Sequence, residues 1–154
     1  MNRLSLLIAT TLGTGFSPLG PGTVGSAVAL AMYWLIPGLR GFVLLSVIVV
    51  LFILGVWASG RVEKSRGHDA PCINIDEVVG MGIALAFFPE GLSGFLGLVP
   101  FVLFRLFDVW KPSVVGHSQK LPGGWGVMTD DVLAGLAAGG CFRLGLWVVQ
   151  TWLS

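Results

Sequence analysis

The chain predicts an all-α, polytopic helical membrane protein with about four to five membrane helices, some of them short or re-entrant. Two observations carry this expectation. First, of 154 residues 55% are apolar and 11% are charged, where a soluble domain carries about 25% charge, and the mean hydropathy is +0.88. Second, the few charges leave long gaps. None falls between Arg3 and Arg40 or from Gly41 to Gly60, only Glu90 falls between Val78 and Phe104, and only Arg143 between Val132 and Ser154. A soluble globular enzyme and a disordered chain both fit this composition poorly. The net charge of +1 supplies no field for a polyanion, so no nucleic-acid partner is expected. Cys72 and Cys141 form neither a disulfide framework nor a metal knuckle, and Cys141 is expected in the core. The length fits a single membrane-embedded domain over 1–154.

The elements follow in order. Residues 1–12 either lie along the interface or pack as an extra helix. They do not read as a secretory signal, since a polar Thr/Gly/Pro loop and another apolar helix follow without a cleavage region. The loop 13–25 is rich in Gly, Pro, Ser and Thr and leads into Val24–Ile36. The clearest span is Phe42–Ser59, FVLLSVIVVLFILGVWAS, close to the roughly 20 apolar residues a bilayer needs. Val78–Phe88 and Leu92–Phe107 flank a turn at Pro89 and are short enough to be re-entrant. Val132–Leu153 is the last span, with Arg143 inside it. The loops 60–77 and 105–131 carry Arg61, Lys64, Arg66, Arg105, Lys111 and Lys120. If the spans alternate, all three long loops share one face, and their basic residues mark it as cytoplasmic.

Five of the eight acids gather where those loops meet apolar helices: Asp76 and Glu77, Asp108, and Asp130 and Asp131. Carboxylates in such places need a polar interior or a partner, and adjacent ones repel unless a cation compensates. A hard divalent ion such as Mg²⁺ meets that need with oxygen ligands. A plainer reading is that Asp76 and Asp130 cap helices, although a cap needs one carboxylate rather than two.

Arg105, Asp108 and Lys111 recur at i, i+3, i+6 and share a helix side before Pro112. They form either an ion-pair ladder or a metal ligand flanked by two phosphate-holding cations. Trp110 reads as an interfacial anchor. The loop Ser17–Thr23 precedes a helix, with Thr23 as its expected cap and Ser26 three residues on. Gly-rich backbone entering a helix presents N–H groups to an anion, though Gly and Pro there are also ordinary turn chemistry. A second Gly-rich loop, Pro122–Gly126, leads to Asp130 and Asp131. His68 and His117 read as exposed loop residues. Gly135, Gly139 and Gly140 favour close helix packing.

Four blocks, SPLGPGTVGS at 17–26, DEVVGM at 76–81, FRLFDVWKP at 104–112 and GGWGVMTDDVLAG at 123–135, are together similar to the phosphatidylglycerophosphatase A family of small bacterial membrane phosphatases. The resemblance spans nearly the whole chain in the family's order. It implies a Mg²⁺-dependent phosphomonoesterase of the bacterial cytoplasmic (inner) membrane, multi-pass, with its active site facing the cytoplasm. Its substrate would be a phospholipid in the bilayer, phosphatidylglycerophosphate, converted to phosphatidylglycerol.

The resemblance carries over Asp76, Glu77, Asp108, Asp130 and Asp131 as metal ligands, with Asp76, Asp108, Asp130 and Asp131 also catalytic. Two positions depart from the family pattern: Ser113-Val114-Val115 after Lys111-Pro112, and Thr129. There is no Cys-x5-Arg loop, Asp-x-Asp pair or paired-His motif, which leaves metal-activated water as the chemistry. In this reading Arg105, Lys111 and the stretch Gly22, Thr23 and Ser26 bind phosphate. The alternatives are a small ion or solute transporter subunit with an interfacial carboxylate site, and an assembly protein whose acids only cap helices. Oligomeric state is not readable from the sequence.

Overall fold

The computed structural model describes residues 2–67, 70–92, 94–110 and 121–153, and every regular element among them is helical. In chain order these are α1 (Arg3–Ala9), a 3-10 turn (Thr14–Phe16), α2 (Pro21–Leu35), α3 (Gly41–Arg66), α4 (Ile75–Ala86), a second 3-10 turn (Gly94–Gly97), α5 (Leu98–Trp110) and α6 (Gly124–Leu153).

At about 1.5 Å per residue, the 26 residues of α3 and the 30 of α6 exceed the roughly 30 Å of a bilayer's hydrocarbon core. These two helices are long and apolar enough to cross a membrane. Less than a third of either apolar stretch is buried, whereas the core helix of a soluble protein is mostly covered. Phe42, Val49, Val50 and Ile53 of α3 stand exposed, an apolar surface suited to lipid. The 15, 12 and 13 residues of α2, α4 and α5 are short segments: α4 packs against both long helices, α5 against α6, and α2 against α4.

Several boundaries differ from expectation. Gly20, at φ +83°, is the N-cap of α2 and Pro21 opens the helix, a favoured place for proline. Thr23 is therefore inside the first turn and is not the cap. α3 continues past Ser59 to Gly67, the first residue that breaks it, so Arg61, Lys64 and Arg66 lie on helix. α5 starts at Leu98 instead of Leu92, after a Gly-rich turn. α6 starts eight residues before Val132, because nothing between Gly124 and Val132 interrupts a helix. Asp130 is therefore no N-cap. Cys141 is exposed on α6, against the core placement expected of it. His68, Lys111 and His117 lie outside the described residues.

Glycines record how the helices run. Gly55 lies against Met128 and Gly60 against Gly124, so α3 and α6 are antiparallel. Gly80 meets Asp131, and Gly139 meets Phe87, so α4 and α6 run in the same direction. This seam is the most extensive contact in the bundle. A side chain at Gly135 would strike the Gly80 backbone carbonyl, whereas Gly140 and Gly145 face open space. The buried ring of Phe104 on α5 closes the seam beside Gly80. This packing gathers the N-termini of α2, α4 and α6 and the C-termini of α3 and α5 at one end.

Overpacking a tight core contact costs about 1–3 kcal/mol. Gly135→Leu should lower the thermal midpoint of the detergent-solubilised protein clearly, and Gly145→Ala should leave it unchanged. Equal midpoints would contradict the assigned seam.

Candidate active site

The site begins with the loop before α4. Asn74 is fully buried; its N–H donates to the Ala9 carbonyl (2.9 Å), and its side-chain amide donates to Thr14 Oγ1 (3.0 Å) and the Pro21 carbonyl (3.2 Å). These bonds tie the end of α1, the 3-10 turn and the start of α2 to the start of α4. Thr11 and Leu12, both at positive φ, turn the chain sharply after α1 so that Ala9 can reach Asn74. Sequence reasoning passed over Asn74. Its one signal is a cap-type residue just ahead of an acidic pair.

Asp76 and Glu77 follow in the first turn of α4. Asp130 and Asp131 are the seventh and eighth residues of α6, about 10 Å along its axis. They reach the α4 acids because Gly80 and Gly135 let the two backbones close up. Asp130 Oδ1 accepts the Asp131 N–H at 3.1 Å. Asp108, on the last turns of α5, pairs with Arg105 at 2.6 Å. All five acids line one cleft of about 310 Å³, walled by Pro21, Ala70, Pro71 and Ile73.

Within the cleft Asp76, Glu77 and Asp131 each place a carboxylate oxygen within 4.8 Å of the others. Glu77 Oε2 and Asp131 Oδ2 are buried with no hydrogen-bond partner among the described residues. Burial, and then the adjacent Asp76, push the Glu77 carboxyl well above the usual carboxylate range. Buried charge left uncompensated costs several kcal/mol. Such a set is stable when it shares protons or a cation, and its all-oxygen donors can accept a hard divalent ion.

The remaining candidates divide. Gly22 lies directly against Glu77 Oε1 and the Arg105 guanidinium, so the start of α2 borders the cleft. Ser26 is buried but donates to the Gly22 carbonyl (2.9 Å), which leaves its hydroxyl proton engaged within the helix. Thr23 is exposed.

A model of the phosphatidylglycerophosphatase A family matches residues 7–146. The chain belongs to the phosphatidylglycerophosphatase A family. It is thus an enzyme, a phosphatase from a family of membrane enzymes. A phosphatidylglycerophosphatase A of Escherichia coli is 36% identical over 87% of this chain and 78% of its own length. The one from Haemophilus influenzae is 34% identical over 96% and 89%. A Bacteroides thetaiotaomicron protein, provisionally named a phosphatidylinositol-3-phosphatase, is 38% identical over 95% and 96%. No solved structure gives a significant match. The family match contains the whole cleft.

A methyl group at position 22 would push Glu77 and Arg105 apart. Displacement of this kind costs roughly ten- to a hundredfold in rate. Gly22→Ala should therefore slow phosphate release by that factor while leaving the thermal midpoint near wild type. Full activity would show that this edge of the cleft is not used.

Proposed function

We propose that the chain is a Mg²⁺-dependent lipid phosphatase that hydrolyses phosphatidylglycerophosphate to phosphatidylglycerol and phosphate at the cytoplasmic face of a bacterial inner membrane. The observation that carries this reading is the trio Asp76, Glu77 and Asp131, the two aspartates buried and the glutamate half-buried, in mutual reach, in a chain of this family. The names of the Escherichia coli and Haemophilus influenzae relatives support the substrate. The cytoplasmic orientation is supported by Arg61, Lys64, Arg66 and Arg105 at the cleft's end of the bundle.

The oxygen donors of Asp76, Glu77 and Asp131 suit Mg²⁺, and the two buried oxygens without partners would gain one. Bound there, the ion would neutralise phosphate oxygens and acidify a water molecule. The chain's own groups do the rest. Arg105, beside Gly22, holds the terminal phosphate, and the N–H groups at the start of α2 face its negative charge. Lys111 is assigned to the same phosphate from the Arg105–Asp108–Lys111 spacing. Asp130 takes the proton of the attacking water as the P–O bond to the glycerol oxygen breaks, and returns it to that oxygen. Asp108 holds Arg105 in place through its ion pair. Asp131 lies about 10 Å inside α6, a depth at which a headgroup can reach the cleft while the acyl chains stay in lipid.

The test is phosphate release by the purified full-length chain in mixed micelles. Phosphatidylglycerophosphate is the main substrate, and phosphatidylinositol 3-phosphate is a second arm prompted by the Bacteroides relative. Release from the first should stop in EDTA and return with Mg²⁺. Asp76→Asn and Asp131→Asn should each lower it by about three decades, which is about 4 kcal/mol of barrier. Near-normal turnover in EDTA or in both variants would overturn the metal assignment. Release from the inositol lipid alone would overturn the substrate.

A further inference from the structure

The end of the bundle away from the carboxylates has its own polar cavity, about 410 Å³, lined by Tyr33, Arg40, Glu90 and Arg143 among apolar neighbours. Arg40 is fixed in place. Its guanidinium lies 3.5 Å over the Tyr33 ring and donates to the carbonyls of Tyr33 and Leu39. Glu90 comes from the turn between α4 and α5. Arg143 comes from α6, 12 residues beyond Asp131 and therefore about 18 Å along the helix, so this cavity is separate from the catalytic cleft.

Arg143 is the group that needs explaining. It is exposed, on a helix apolar enough to cross a membrane, and it has no hydrogen bond or ion pair among the described residues. A cation within an apolar span costs several kcal/mol unless an anion or water meets it. A second cavity of about 890 Å³ adjoins the first. It shares Pro89, Glu90 and Arg143 and continues along Leu144 and Trp147. α6 runs on to Leu153 with Trp147, Val149 and Trp152 exposed. A polar pocket therefore opens onto an apolar crevice.

We propose that this end of the bundle binds one phospholipid through its phosphodiester, as a site distinct from the one that takes the substrate. Two guanidinium groups against one carboxylate leave a single positive charge, which matches the single negative charge of a phosphodiester. Arginine suits phosphate through its forked donors. Glu90 faces the alcohol portion of the headgroup, and the crevice along Leu144 and Trp147 takes an acyl chain. The lipid belongs to the leaflet opposite the catalytic cleft.

The experiment is native mass spectrometry of the full-length protein, delipidated in mild detergent and titrated with phosphatidylglycerol. Wild type and Arg105→Gln, which alters only the catalytic cleft, should each retain one lipid. Arg143→Gln should weaken retention at least tenfold while hydrolysing substrate in micelles near the wild-type rate. Arg143→Lys, which keeps the charge and guards against misfolding of the first variant, should retain more lipid than Arg143→Gln. Equal retention by wild type and both Arg143 variants would overturn the proposal. So would loss in Arg105→Gln with retention in Arg143→Gln, because the lipid would then occupy the catalytic cleft. Displacement of the lipid by millimolar inorganic phosphate would reduce the site to one for a free ion.

Discussion

Buried carboxylates held within reach of one another set the terms for this protein. Asp76, Glu77 and Asp131 come from two helices and bring oxygens within 4.8 Å in a place where repulsion and desolvation both oppose them. Packing overcomes that opposition. α4 and α6 approach so closely at Gly80 and Gly135 that no side chain fits between them, and Asn74 pins the start of α4 to α1 and α2. The fold supplies the energy that keeps the acids together, and a cation or shared protons must balance their charge. A site strained in this way is the usual mark of a functional centre.

The short helices follow from the same need. A bundle of five full spans would leave acids on helix ends facing water. Here α3 and α6 provide the length, while α2, α4 and α5 end at the level of the cleft, so their termini converge on it. α6 starts well before its acids, which places Asp130 and Asp131 inside a helix and below the mouth of the cleft. A water-soluble phosphate ester would not need this depth, whereas a lipid whose headgroup sits at the interface does.

Much of this was legible in the sequence, because sparse charges in an apolar chain stand out. The helical class, the long α3 and the grouping of the basic loops at one end all follow from where Arg, Lys, Asp and Glu fall. The acids were legible as a group for the same reason. Helix starts were not. Thr23 has the chemistry of a cap, but Pro21 can open a helix earlier and does so. Asp130 resembles a cap only if α6 begins at Val132, and nothing before Val132 stops it. Cys141 was misplaced because an apolar helix in lipid has no polar face to identify its outer side. Asn74 was passed over because its work is done by hydrogen bonds to residues distant in the chain, which no local pattern encodes.

The most direct measurement of the central claim is divalent-ion binding by the purified protein, followed by electron paramagnetic resonance with Mn²⁺ as the probe. The account predicts saturable binding that Mg²⁺ displaces, lost in the Asp76→Asn/Asp131→Asn double variant and kept in Glu90→Gln. Undiminished binding in the folded double variant, or no saturable binding by the wild type, would contradict it.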